Sequence, residues 1–165
     1  MSPDVVAHKL ANDGNFKTDV LQYLARTVHE EYPDGVVPDL PKEKGKAHVC
    51  SERPVSTTDP IFKAAFAARL QRLVKKCNTH KHTQTCYKYG YENCRFGFER
   101  PKVEIAKIVN GVIFLKRSEG SGWVNNYNDI ITSALGCNTD IKFICNGNDS
   151  KSLAFYITDY ITKRR

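Results

Sequence analysis

The stretch VEIAKIVNGVIFLKR, residues 103–117, decides the fold class. Two runs rich in β-branched residues flank Asn110-Gly111. That dipeptide suits a two-residue type I′ turn, whose central positions both need positive φ and whose twist matches a hairpin. The stretch predicts an antiparallel pair of strands, and most of the chain around it reads as helix.

Downstream, WVNNYNDIITSALG (123–136) predicts a loop that enters a helix and stops at Gly136. DIKFIC (140–145) predicts a short strand, NGND (146–149) a turn and cap, and residues 150–165 a last helix. Upstream, residues 15–31 predict an amphipathic helix whose stripe is Val20, Leu21, Leu24, Ala25 and Val28. A second helix is expected from Asp59 to Lys76. Asp59 caps it, Pro60 takes the first helical position, and Phe62, Ala65, Phe66, Leu70, Leu73 and Val74 recur at helical spacing. Residues 32–58, with Pro33, Pro38, Pro41, Pro54 and many charges, read as a linker or extended loop. The sum is an α+β fold with a small antiparallel sheet packed with helices. Residues 1–58 form an N-terminal helix and linker, and residues 59–165 the main domain.

The 165 residues fit one domain large enough to bury a core. A net charge of +7 and a pI near 9.1 favour a polyanionic partner, nucleic acid above all. No run of eighteen apolar residues exists, which excludes a helical membrane span. Residues 1–20 lack the apolar core of a secretory signal, so the cysteines are expected in a reducing compartment, as metal ligands or core thiols.

The segment CNTHKHTQTCYKYGYENC (77–94) brings Cys77, His80, His82, Cys86 and Cys94 together. Zinc takes four such ligands in a tetrahedron, and short loops let the backbone wrap the ion. Five candidates compete for four places, and the spacing does not choose among them. His80-Lys81-His82 is also nominally a His-x-His pair, which on a strand would point both imidazoles at one divalent ion. Lys75, Lys76, Lys88, Arg95, Arg100, Lys116 and Arg117 are candidate phosphate contacts. Tyr87, Tyr89, Tyr91 and Phe96 lie among them and suit stacking on unpaired bases, or packing around the metal loop.

The chain closes on FYITDYITKRR (155–165). Leu153, Tyr156, Ile157, Tyr160 and Ile161 make a stripe that reads as the core face of a helix. The alternative is chemistry. A tyrosine hydroxyl can attack a phosphodiester and conserve the bond energy in a phosphotyrosine link, with a divalent metal polarising the phosphate. Tyr156 and Tyr160 share a helical face, and Lys163 would lower a phenol pKa or hold phosphate.

HKHTQTCYKYG, CRFGFERP, WVNNYND, CNTDIKFI and AFYITDYITK occur in that order. Together they resemble the amino-terminal replication-initiator region of Helitron transposon proteins in their fungal form, over most of residues 50–165. The resemblance implies a partial nickase fold of the HUH-endonuclease type with a cysteine- and histidine-rich metal loop. It implies rolling-circle transposition, single-stranded DNA as partner, a helicase in the same chain or in trans, and a nuclear, intracellular location. Tyr156, Tyr160 and Lys163 match the family's Tyr-x-x-x-Tyr-x-x-Lys motif, and His82, Cys86 and Cys94 match its zinc-finger-like element. Asp140 falls at an acidic position that would assist metal binding.

Two features depart from the family. Its His-hydrophobe-His motif is missing from residues 1–76, where only His8, His29 and His48 occur, and no phosphate-binding Gly-x-x-x-x-Gly-Lys-Ser/Thr loop is present. The expectation is a fragment that binds DNA with a structural zinc, its nicking ancestral. Magnesium or manganese would matter only to an active nickase. The alternative is a zinc-stabilised binding module with no catalysis.

Overall fold

The computed structural model describes residues 1–40, 48–88, 90, 92–144 and 147–162. Among them are five α-helices and one two-stranded antiparallel sheet, so the α+β class holds. Strand β1 (Lys107–Val109) and strand β2 (Val112–Phe114) pair with Ile108 opposite Ile113. Asn110 and Gly111 adopt φ of 50° and 78°, the turn that their sequence demands. An isolated bridge between Val103 and Arg117 lengthens the hairpin.

Helix α1 (Pro3–Asn12) and helix α2 (Gly14–Thr27) precede the hairpin. The first was not anticipated, although its caps are local: Ser2 accepts from Val5 N–H, and Asp13 accepts from Phe16 N–H to start α2. The predicted stripe of α2 works as expected in part. Leu24 and Val28 are buried with Leu115 from the hairpin, Val20 and Ile113 pack at the edge, and Ala25 is exposed. The N-terminal helix therefore shares a core with residues beyond position 58.

Helix α3 (Phe62–Leu73) starts later than predicted: Ile61 is the residue before its first turn, and Asp59 and Pro60 lie in a preceding turn where Asp59 accepts from Ile61 N–H at 2.9 Å. It runs into a π-helical turn at Val74–Asn78. Leu70 and Val74 join Tyr32, Val124 and Tyr127 in the central cluster, with Phe66 against it. Helix α4 (Asp129–Leu135) packs on α3 and ends at Gly136 in the left-handed region, as predicted.

Three further expectations are corrected. Residues 140–144 form no strand; Ile141 N–H donates to the carbonyl of Asn126 at 3.2 Å, and Cys145 lies outside the described residues. An alternating run becomes a strand only where a partner edge is free. Residues 32–58 are not simply a linker. Tyr32 is buried, and Val49 is fully buried in a 3₁₀ turn (Val49–Ser51) beneath α3, which contributes about 2 kcal/mol. Helix α5 (Gly147–Thr162) forms, but its stripe is not a core face: Leu153, Tyr156, Ile157 and Ile161 are all exposed.

Candidate metal centre

The π-helical turn hands the chain to an extended segment that runs beside residues 123–125. Asn125 N–H donates to Asn78 carbonyl at 2.8 Å, and His80 N–H to Trp123 carbonyl at 2.7 Å. This fixes His80 at the edge of the aromatic pair Phe98 and Trp123. Its ring stacks on Phe98 with centroids 4.3 Å apart. His82 follows two residues on, its ring edge-on to His80 at 5.3 Å.

Thr83 then opens a 3₁₀ turn (Gln84–Tyr87), and Cys86 sits where its sulfur accepts the Thr83 N–H at 3.4 Å. Arg95 N–H donates to Cys86 carbonyl at 3.1 Å and so brings the next cysteine alongside. Cys94 begins a tight turn closed by Gly97 N–H to its carbonyl at 2.9 Å. Gly97 holds φ of 72° there, which glycine adopts without a steric cost.

Cys86 and Cys94 are buried with Phe98, and Trp123 covers them. Both sulfurs lie 3.4 Å from His80 Nε2. One donor atom from each of His80, His82, Cys86 and Cys94 lies within 4.8 Å of all the others. A tetrahedral zinc ion has ligand–ligand edges of about 3.3–3.8 Å, so small side-chain movements would close the set on one ion. Two of the donors are shifted toward their ligating forms. Burial, His82 and Arg100 hold the His80 pKa down, which keeps its ring neutral. Burial alone would raise the Cys94 thiol, but hydrogen bonds from the N–H groups of Phe98, Phe96 and Gly97 and from Cys86 outweigh it, and the net shift is down.

Thus four of the five expected ligands converge. The fifth does not. Cys77 stands in the π-helical turn, where its sulfur faces Cys50 at 3.2 Å, with His48 in the same group. Burial and the thiols of Cys50 and Cys137 push Cys77 up to about 12. The sequence signal for that neighbour was His48-Val49-Cys50, a short His-x-Cys pair overlooked among prolines and charges. Asp140 belongs to neither metal group; it is exposed and pairs with Lys142 at 3.2 Å.

The cationic candidates divide sharply. Arg117 is buried, donates to Pro101 carbonyl at 2.6 Å and pairs with Glu30, so it is not a phosphate contact. Arg100 bonds Asn126 at 2.6 Å, lies 3.6 Å from Glu30 and stacks over Phe98, so it too is structural. Lys116 pairs with Glu31 at 3.2 Å, and Lys75 lies over the Tyr32 ring. Arg95, with its guanidinium 4.5 Å from the Phe96 ring, stays at the exposed rim of the cluster, as do Lys88, Tyr87 and Phe96. Tyr89, Tyr91, Lys163 and the side chain of Tyr160 lie outside the described residues.

No family model matches the chain, and no curated protein or solved structure is significantly similar to it. No helix among the described residues is long and apolar enough to cross a membrane.

Proposed function

We propose that the chain is a zinc-stabilised module that binds single-stranded nucleic acid, related to the initiator region of Helitron transposon proteins. The observation that carries it is the convergence of His80, His82, Cys86 and Cys94 beneath an exposed rim of Arg95, Phe96, Tyr87 and Lys88. Two nitrogen and two sulfur donors make a closed zinc site, which is structural in kind. Its role is to fold the rim. Arg95 and Lys88 then supply positive charge, and Phe96 and Tyr87 supply faces for bases to stack on.

This assignment bears on nicking. A nickase metal must keep an open position for the phosphate. His80 and His82 lie in one donor set with two thiols, and an ion held by all four would have no open tetrahedral position for a substrate. The Helitron likeness is therefore read as ancestry in a HUH-type nickase, with DNA binding as the retained property. Magnesium or manganese has no role in that binding.

The test is fluorescence anisotropy with a labelled oligo-dT strand. Zinc-loaded protein should bind; Phe96→Ala should weaken binding by roughly fivefold to a hundredfold through the lost stack, and Arg95→Ala should weaken it and reduce its salt dependence. Affinity should fall with salt, with a logarithmic slope of about −0.7 per phosphate contact. Folded, zinc-loaded protein that fails to bind at low salt would sink the reading. So would binding that neither substitution changes.

A further inference from the structure

A second cluster of metal-ligating side chains lies away from the first. One donor atom from each of His48, Cys50 and Cys77 lies within 4.8 Å of the others. These residues come from two separate segments. His48 and Cys50 flank the start of the 3₁₀ turn beneath α3, and Cys77 occupies the π-helical turn beyond it. A third segment arrives from α4. Gly136 ends that helix so close to the turn that a Cβ there would stand 3.2 Å from the Cys50 carbonyl oxygen. The residue after it is Cys137, exposed and one position along the chain from that contact, although its sulfur is not among the donor atoms that lie within 4.8 Å of one another.

We propose that His48, Cys50 and Cys77, with Cys137 turning in as the fourth ligand, form a second structural zinc site, independent of the first. Three thiolates and one imidazole are a common closed zinc set. The geometry suits it. Tetrahedral zinc with bonds of about 2.3 Å holds two sulfurs about 3.8 Å apart, so Cys50 and Cys77, which stand at 3.2 Å, would open by about 0.6 Å around the ion. Packing gives no competing reason for these thiols, because Cys50 and Cys137 are exposed. The ion would tie the turn at residues 48–51, the end of α3 and the end of α4 into one unit. Those same segments are joined by the buried Arg69, which donates to Val49 and Ser133 carbonyls.

Zinc content of the purified full chain, measured by elemental analysis and native mass spectrometry, gives the first readout. Two ions per chain are expected, falling to one in Cys50→Ser and in Cys137→Ser, while Cys86→Ser also retains one. A maleimide labelling time course needs no variant. With zinc bound, Cys50 and Cys137 should label at least tenfold more slowly than after chelation. One ion in the wild-type chain would overturn the proposal. Labelling rates at Cys50 and Cys137 that zinc leaves unchanged would also overturn it, as would a mass two daltons low with a Cys50–Cys77 disulfide in the peptide map. DNA binding is measured separately, so loss of this site and failure of the binding reading are distinguishable.

Discussion

The buried guanidinium of Arg69 donates from Nη1 to the carbonyl oxygen of Val49 over 3.1 Å. Its Nε reaches the Ser133 carbonyl at 3.4 Å, and Glu52 lies 3.8 Å away. One side chain on α3 thus holds both the turn that carries Cys50 and the helix that leads to Cys137. Arg69→Met should cost about 2–4 kcal/mol, because two buried carbonyls lose a charged donor. Urea unfolding of the metal-free protein measures it. A loss under about 0.5 kcal/mol, typical of surface positions, would show that the turn is held by something else.

Glu30 and Arg117 form the most buried ion pair among the described residues, with 10% and 7% of their side chains exposed. The pair joins the segment after α2 to the hairpin, and Arg100 shares the same carboxylate. Glu30→Gln leaves the Arg117 cation buried without a counter-charge, with only the neutral Gln amide oxygen and the Pro101 carbonyl to accept from it. That substitution should cost about 3–5 kcal/mol, whereas Glu30→Gln with Arg117→Met should cost less than the single change. Denaturation midpoints of the single and double variants decide it. A double variant less stable than the single one would refute the pairing.

Tyr127 gives the alkaline limit of the fold. Its hydroxyl donates to the Glu31 carbonyl at 2.8 Å, and the ring is almost fully buried. Burial, with the carboxylates of Asp129, Glu31 and Asp34, pushes its pKa well above the ordinary 10.0. The folded value is raised, so this stabilisation is complete below pH 10 and is lost as pH climbs toward the folded pKa. The chain should therefore lose stability with a tyrosine-linked slope above pH 10. Tyr127→Phe should flatten that slope while costing about 1 kcal/mol at neutral pH through the lost hydrogen bond. Denaturation midpoints followed from neutral to alkaline pH would show it, and an unchanged slope in the variant would count against it.

What the sequence revealed depended on how local each determinant is. The hairpin was legible because Asn110-Gly111 and its flanking residues carry their own turn chemistry. Gly136 stopped α4 for the same reason. The metal centre was legible to four residues of five, since His80, His82, Cys86 and Cys94 lie within one short wrap of chain. Cys77 parted from them because the π-helical turn directs it to Cys50, a neighbour 27 positions away. The same limit applied to the cations. Arg117 read as a surface charge because its partner, Glu30, lies 87 positions upstream. Burial of Val49 rests on α3 and Arg69, and no pattern within its own proline-rich segment encodes that. The apolar stripe of α5 had helical spacing without a surface to cover among the described residues, and spacing alone does not create one.

Exposure of Tyr156 separates its chemistry from its packing. The residue is 65% exposed, and none of the described side chains of α5 is buried. Tyr156→Phe should leave stability within about 0.5 kcal/mol of the parent chain, as for surface positions generally. Any effect of that substitution on DNA chemistry then reports the hydroxyl alone. The expected result of incubating the protein with labelled single-stranded DNA and magnesium or manganese is no covalent adduct on a denaturing gel. Tyrosine attack needs a metal with an open position, and His80 and His82 stand in one donor set with Cys86 and Cys94. An adduct that survives in the parent chain and vanishes in Tyr156→Phe would reverse this conclusion. It would require a phosphate-polarising ion bound by other residues, and the Cys86→Ser variant would show whether the His80, His82, Cys86 and Cys94 donor set takes part.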